Sequence, residues 1–162
     1  MEEGAYHVIV LSTAHISAIH QHGEADYPFE CCGVVIGELH SSGEKIVKHL
    51  QPIINEREDE AKHNRFLISA ESMLKSELSA LKLGLDVLGF YHSHPDHPAI
   101  PSSFDQEHAW PTYSYLIVSV NKGKAEELTS WELLSDRTAF QPETIREEIQ
   151  DVGSSIHTNS TS

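Results

Sequence analysis

Apolar residues fall along this chain in two rhythms, short runs with strand character and longer stretches at helical spacing. Tyr6 to Leu11 (YHVIVL) reads as a first strand. Ser12 then offers a cap to a helix with Ala14, Ile16, Ala18 and Ile19 on its apolar face, ending at Gly23. Gly33 to His40 and Lys45 to Ile54 read as a hairpin around Ser41-Ser42-Gly43. Phe66-Leu67-Ile68 is a short strand. Ser69 caps a second helix, stopping near Gly84, with Met73, Leu74, Leu78, Leu81 and Leu85 at helical spacing. That leucine stripe is expected to be core, not a partner-binding face. Ser114–Val120 and Leu128–Leu134 complete the sheet, joined across a turn at Asn121-Lys122-Gly123-Lys124.

Helices interleaved with strands predict an α/β (α+β) domain, a mixed central β-sheet flanked by helices. One domain over residues 1–150 and a disordered polar tail over 151–162 account for the length. Glu143–Asp151 reads as a frayed terminal helix, and Glu56–Glu60 (EREDE) as a loop.

The chemistry lies between the second helix and Ser114. Leu88-Gly89-Phe90-Tyr91 is an apolar run that reads as a buried strand arriving at His92. Residues i and i+2 of a strand share a face, so His92 and His94 project together while Ser93 points away. Pro95 has no N–H for a ladder, which suits a strand ending at His94. The segment PDHPAIP holds three prolines and is expected to be a stiff excursion. It can return Asp105 to the two imidazoles. His, His and carboxylate would leave a fourth tetrahedral position open on a zinc ion, as catalytic zinc sites do. Ser102-x-x-Asp105 also fits a helix capping box, and the two roles are compatible. As core histidines, His92 and His94 would bury polar ring nitrogens that need partners.

Upstream, Tyr27-Pro28-Phe29-Glu30-Cys31-Cys32-Gly33 leads into the apolar run Val34-Val35-Ile36. Glu30 sits where a turn becomes a strand, and its position alone allows either a surface charge or a functional carboxylate.

Glu30 before Cys-Cys-Gly, then His92-x-His94, seven residues, Ser102, two residues and Asp105 resembles the JAMM (MPN+) zinc metallopeptidase motif in order and spacing. The resemblance spans roughly residues 6 to 140 and is nearest the small stand-alone bacterial type. It implies the MPN fold, with a layout like that of cytidine deaminases. It also implies one Zn²⁺ held by His92, His94 and Asp105, with Glu30 as general base and Ser102 stabilising the oxyanion. The implied reaction is hydrolysis of an amide or isopeptide bond at the tail of a ubiquitin-like protein. Sulfur-carrier processing comes first among the substrates, and deconjugation of a ubiquitin-like modifier second. A non-catalytic MPN scaffold is the rival reading, but such modules usually lack a ligand, and this chain keeps every motif residue.

Composition narrows the partners. Eleven basic against twenty-five acidic side chains give a net charge of −14, which argues against nucleic-acid binding through phosphates. No apolar run is long enough to span a membrane, and the acidic start lacks signal-peptide character, so a cytoplasmic protein is expected. Cys31 and Cys32, adjacent in sequence, fit small buried hydrophobes in a reducing compartment. Of the twelve histidines, His97 in the Pro-rich loop is the one near enough to contact substrate, though an exposed loop residue explains it as well. The Pro-Cys-x-x-Cys run of a zinc nucleobase deaminase is absent.

Overall fold

A computed structural model describes residues 7–53 and 69–149. Its elements, in chain order, are β1 (Val8–Ser12), α1 (Thr13–Asp26), β2 (Cys32–Leu39), β3 (Lys45–Ile53), α2 (Ala70–Lys82), β4 (Asp86–Pro95), α3 (Ser103–His108), β5 (Ser114–Asn121), β6 (Lys124–Leu133) and β7 (Phe140–Glu148). The fold is mixed α+β, as the alternating pattern predicts. The expected strand at 66–68, the acidic loop at 56–60 and the polar tail lie outside the described residues.

The sheet closes into a barrel in the order β1-β3-β2-β4-β5-β6-β7. β1 lies parallel to both β3 and β7, and β4 lies parallel to β5; the remaining pairs are antiparallel. Closure comes from β7, which occupies the region read from sequence as a frayed helix. That expectation fails for a physical reason. The run of Glu and Arg suits a helix locally, but Glu143 pairs with Ser130 of β6, and Thr144 to Glu148 pair with β1. Pairing on both sides outweighs local preference.

Two apolar clusters share the strands. One gathers Ile9, Leu11, Val35, Tyr91, Leu116 and Val118 around Ile19 of α1. The other gathers Val34, Ile36, Phe90, Tyr115 and Leu133 beneath Ala80 of α2. Successive strand residues therefore serve opposite faces, and β4 is buried on both from Val87 to His94.

The helix expectations hold in part. Ser12 caps α1, its hydroxyl accepting the His15 N–H at 3.1 Å. The helix runs past Gly23 to Asp26, because this glycine is a packing residue rather than a stop. A Cβ there would sit 3.0 Å from Val120 Cγ2 and 3.4 Å from Val118 Cγ1, so glycine lets α1 lie close on β5. Ala14 and Ala18 are exposed; Ile19 and Gly23 are the buried positions.

The leucine stripe of α2 contradicts the sequence reading. Ser76 and Ala80 are its buried residues, whereas Leu74, Leu78 and Leu81 are 60, 49 and 70 % exposed. The helix is rotated so that its small residues meet the sheet, where Met73 and Leu85 pack beside Ala80. Small side chains allow the closer approach.

Candidate metal centre

β2 and β4 bring the motif together. Their ladder pairs Cys32 with His92 and Gly33 with Tyr91. A side chain at position 33 would run into the Tyr91 ring, so this pairing requires glycine there. Beyond the regular ladder, the Ser93 N–H donates to the Cys31 carbonyl at 3.1 Å. The Cys31 N–H donates to Ser93 Oγ at 2.8 Å. Glu30, the next residue back, is 5 % exposed and lines the same cavity as His94.

His92 and His94 project from one face of β4 with their Nε2 atoms 3.2 Å apart. The strand extends to Pro95, one residue beyond the expected end. From there the chain is pinned at each step. The Asp96 N–H donates to the Val120 carbonyl at 2.8 Å. The Asp96 carboxylate accepts from Tyr27 Oη at 2.7 Å and from the Lys122 N–H at 2.8 Å. Thr129 Oγ1 donates to the Ala99 carbonyl at 2.7 Å. The Pro-rich segment is thus as firmly held as its sequence suggests, and it covers the parallel crossover from β4 to β5.

At the end of that segment Ser102 caps α3, and the Ser-x-x-Asp pattern forms the expected capping box. Ser102 Oγ accepts the Asp105 N–H at 3.0 Å, and Asp105 Oδ2 accepts the Ser102 N–H at 2.8 Å. The same carboxylate faces the histidines, with Oδ1 3.4 Å from His92 Nε2 and Oδ2 3.3 Å from His94 Nε2.

The hydrogen bonding and charge around the group suit a cation. His94 Nδ1 lies 2.8 Å from the Pro98 carbonyl, which can only accept, so this nitrogen carries a proton and Nε2 is the one turned towards Asp105. Burial pushes the His92 imidazole below its usual range, against the opposing pull of Asp105. Burial also works against the Asp105 anion, but His92, His94 and the Ser102 N–H hold its carboxyl well below the usual carboxylate range. The donor set is then two imidazoles and one carboxylate.

Among the described residues, the ligand atoms of His92, His94 and Asp105 lie within 4.8 Å of one another and form a group able to hold a metal ion. Two nitrogens and one oxygen at this separation fit Zn²⁺. A cavity of about 310 Å³ opens beside them, lined by Glu30, His94, His97, Pro98, Ser102 and Asp105 among others. All five residues singled out from sequence therefore meet at one place. His97 is exposed on the cavity wall. Cys31 and Cys32 are buried thiols, neither of them in a disulfide.

Sequence reasoning missed the supports. Ser93 could be placed opposite the histidines by strand alternation, but its bond to Cys31 depends on the register of β2 against β4. Asp96 carried no signal beyond lying in a proline-rich loop.

The model for prokaryotic homologs of the JAB domain matches residues 12–134, and the chain belongs to that family. It is 38 % identical over 96 residues to a desampylase of Haloferax volcanii, covering 58 % of this chain and 65 % of that protein. It is 31 % identical over 111 residues to the Lys-63-specific deubiquitinase BRCC36 of Camponotus floridanus, covering 65 % of this chain and 42 % of that one. The chain thus spans less than two thirds of either relative. Among solved structures, a Desulfitobacterium hafniense protein superposes with a TM-score of 0.75 at 26 % identity, over 88 % of this chain and 94 % of that one. A Salinibacter ruber protein superposes at 0.65 with 40 % identity, over 85 % and 90 %. Among the described residues, no helix is long and apolar enough to cross a membrane.

Proposed function

We propose that this protein is a JAMM-type zinc peptidase that hydrolyses an amide or isopeptide bond at the C-terminal tail of a ubiquitin-like protein. The observation that carries the reading is the convergence of Glu30 and Ser102 on the cavity beside the His92, His94 and Asp105 group. His92, His94 and Asp105 would hold Zn²⁺, which when bound supplies Lewis acidity and lowers the pKa of water to about 7.

The chain's own groups then divide the work. Glu30, buried at the cavity, takes the proton of the attacking water and returns it to the departing amine, help worth roughly 10²–10⁴ in rate. Ser102 Oγ already accepts the Asp105 N–H, so its own proton is free to donate to the oxyanion as the carbonyl becomes tetrahedral. Asp105 stays an anion and holds the end of α3 against the histidines.

A desampylase and a deubiquitinase among the relatives favour removal of a ubiquitin-like modifier from a conjugate over processing of a sulfur carrier. The scaffold reading is disfavoured because a scaffold has no need of a complete donor set beside a buried glutamate. The test is incubation with ubiquitin-like proteins carrying either a C-terminal extension or an isopeptide-linked partner, read by intact mass with and without chelator. Cleavage at the C-terminal tail of the ubiquitin-like protein that chelator abolishes is the expected result. No cleavage of either substrate class by zinc-loaded protein, or cleavage indifferent to chelator, would overturn the reading.

A further inference from the structure

Asp105 rides on a helix of six residues, too short to be stable alone. Its N-terminal end is closed by the capping box with Ser102, in which the Asp105 carboxylate itself takes part. The other end has carbonyls without helical partners. Three of the carbonyls there, those of Gln106, Glu107 and Ala109, accept from a single side chain far away in sequence. Arg137, in the turn between β6 and β7, donates from Nη1 to the Ala109 carbonyl at 2.8 Å. Its Nη2 donates to the carbonyls of Glu107 at 3.2 Å and Gln106 at 3.4 Å.

The contact is reciprocal. Gln106 Nε2 donates to the carbonyls of Arg137 at 3.1 Å and Thr138 at 3.0 Å. The turn is itself built to present this arginine, which sits at φ 65°, outside the ordinary range for a residue with a Cβ. Its N–H donates to the Leu134 carbonyl at 2.8 Å, and Asp136 Oδ1 accepts from the Thr138 N–H and hydroxyl at 3.0 and 2.7 Å. A cation is also favoured at a helix C-terminus by the helix dipole.

We infer that Arg137 and Gln106 form a clamp that positions Asp105 for the metal. Arg137 is a positioning residue, acting on the ion through α3 without touching it. The inference rests on reading Asp105 as a metal ligand. An isolated exposed arginine would matter little, but Arg137 and Gln106 together join a short helix to a pre-formed turn through five hydrogen bonds, three from the guanidinium and two from the Gln106 amide. Losing the guanidinium removes three of the five and leaves the far end of the helix to the Gln106 pair.

The test uses the full chain. Zinc affinity is measured by chelator competition for wild type, Arg137→Ala, Arg137→Lys and Gln106→Ala, with amide hydrogen exchange followed in the metal-free proteins. Loss of a group that orients a ligand lowers metal affinity by about 10–100-fold, and Arg137→Ala is expected near the lower end. Arg137→Lys should fall between, because an ammonium cannot fork across three carbonyls. Gln106→Ala should shift affinity in the same direction, and it carries the test alone if Arg137→Ala does not fold. Exchange should quicken over residues 105–109 and not across the barrel. Zinc affinity within twofold of wild type in Arg137→Ala and Gln106→Ala would overturn the inference. So would a loss of affinity accompanied by faster exchange across the whole barrel. Wild type that binds no zinc would sink the metal reading itself, while exchange at 105–109 still reports on the clamp.

Discussion

Ser93 and Cys31 bond to each other in both directions, side chain to backbone at 2.8 Å and backbone to backbone at 3.1 Å. The pair adds a rung beyond the Cys32–His92 match and fixes where the chain enters β2, one residue from Glu30. Ser93→Ala removes the acceptor of a buried N–H, at a cost of about 1–3 kcal/mol in a urea melt. It should also lower kcat while leaving zinc affinity within twofold, since both imidazoles remain. A variant with wild-type kcat would show that Glu30 is placed by other contacts.

Glu30→Gln keeps the shape of the side chain and removes its capacity to take a proton. Zinc content should be unchanged and turnover should fall at least roughly 10²-fold. Turnover near wild type would remove Glu30 from proton transfer.

Burial pushes the Cys31 thiol up to about 12, outweighing the hydrogen bond from Ser93 that favours the thiolate. Folded protein should therefore leave this residue unmodified by iodoacetamide at pH 8, while unfolded protein reacts. The folded value lies above the unfolded one, so the associated stability is full below the ordinary thiol value of 9.0 and is lost as pH rises towards about 12. Peptide mapping after alkylation checks the first point. Labelling of Cys31 as fast as in denaturant would contradict the burial.

The exposed leucines of α2 give an inexpensive check on its orientation. Leu78→Lys and Leu81→Glu should each change stability by no more than about 0.5 kcal/mol, as surface positions do. Ala80→Leu, on the packed side, should cost about 1–3 kcal/mol by overfilling the contact with the sheet. A reversed order in thermal melts would mean that the leucine stripe faces inward after all.

Lys45 is buried between Glu132 at 2.8 Å and Glu143 at 3.4 Å. Lys45→Met would strand those carboxylates, at a cost of about 3–5 kcal/mol. The loss should be largest at neutral pH and smaller in mild acid, where Glu143, raised by burial, protonates first. A melt insensitive to the substitution would show that the carboxylates find other partners.

The placement of the candidate site was legible in sequence because its geometry is local. His92 and His94 share a face by strand period alone, and Ser102 and Asp105 share a capping box by helix geometry alone. Only Glu30 needed family resemblance to rise above an ambiguous position. What escaped depends on register or on packing across elements. Arg137 meets α3 through a turn that nothing near Asp105 foretells. The α2 leucines mislead because a helical period gives the existence of a stripe, not which side the sheet will choose. β7 misleads because its Glu and Arg residues state a local preference that pairing with β1 and β6 overrules.

That last strand has a consequence for how the molecule assembles. β1 lies between β3 and β7, so the barrel is sealed by segments from opposite ends of the described residues. Joining them closes the longest loop in the sheet, the most costly in chain entropy. The pairings of β2 with β3 and of β5 with β6 close short loops by comparison. Contacts of low sequence separation form fastest. The seam between β1 and β7 is therefore expected to close after the β2–β3 and β5–β6 hairpins. In kinetic terms, β7 is expected to act as a late-closing clasp on the barrel.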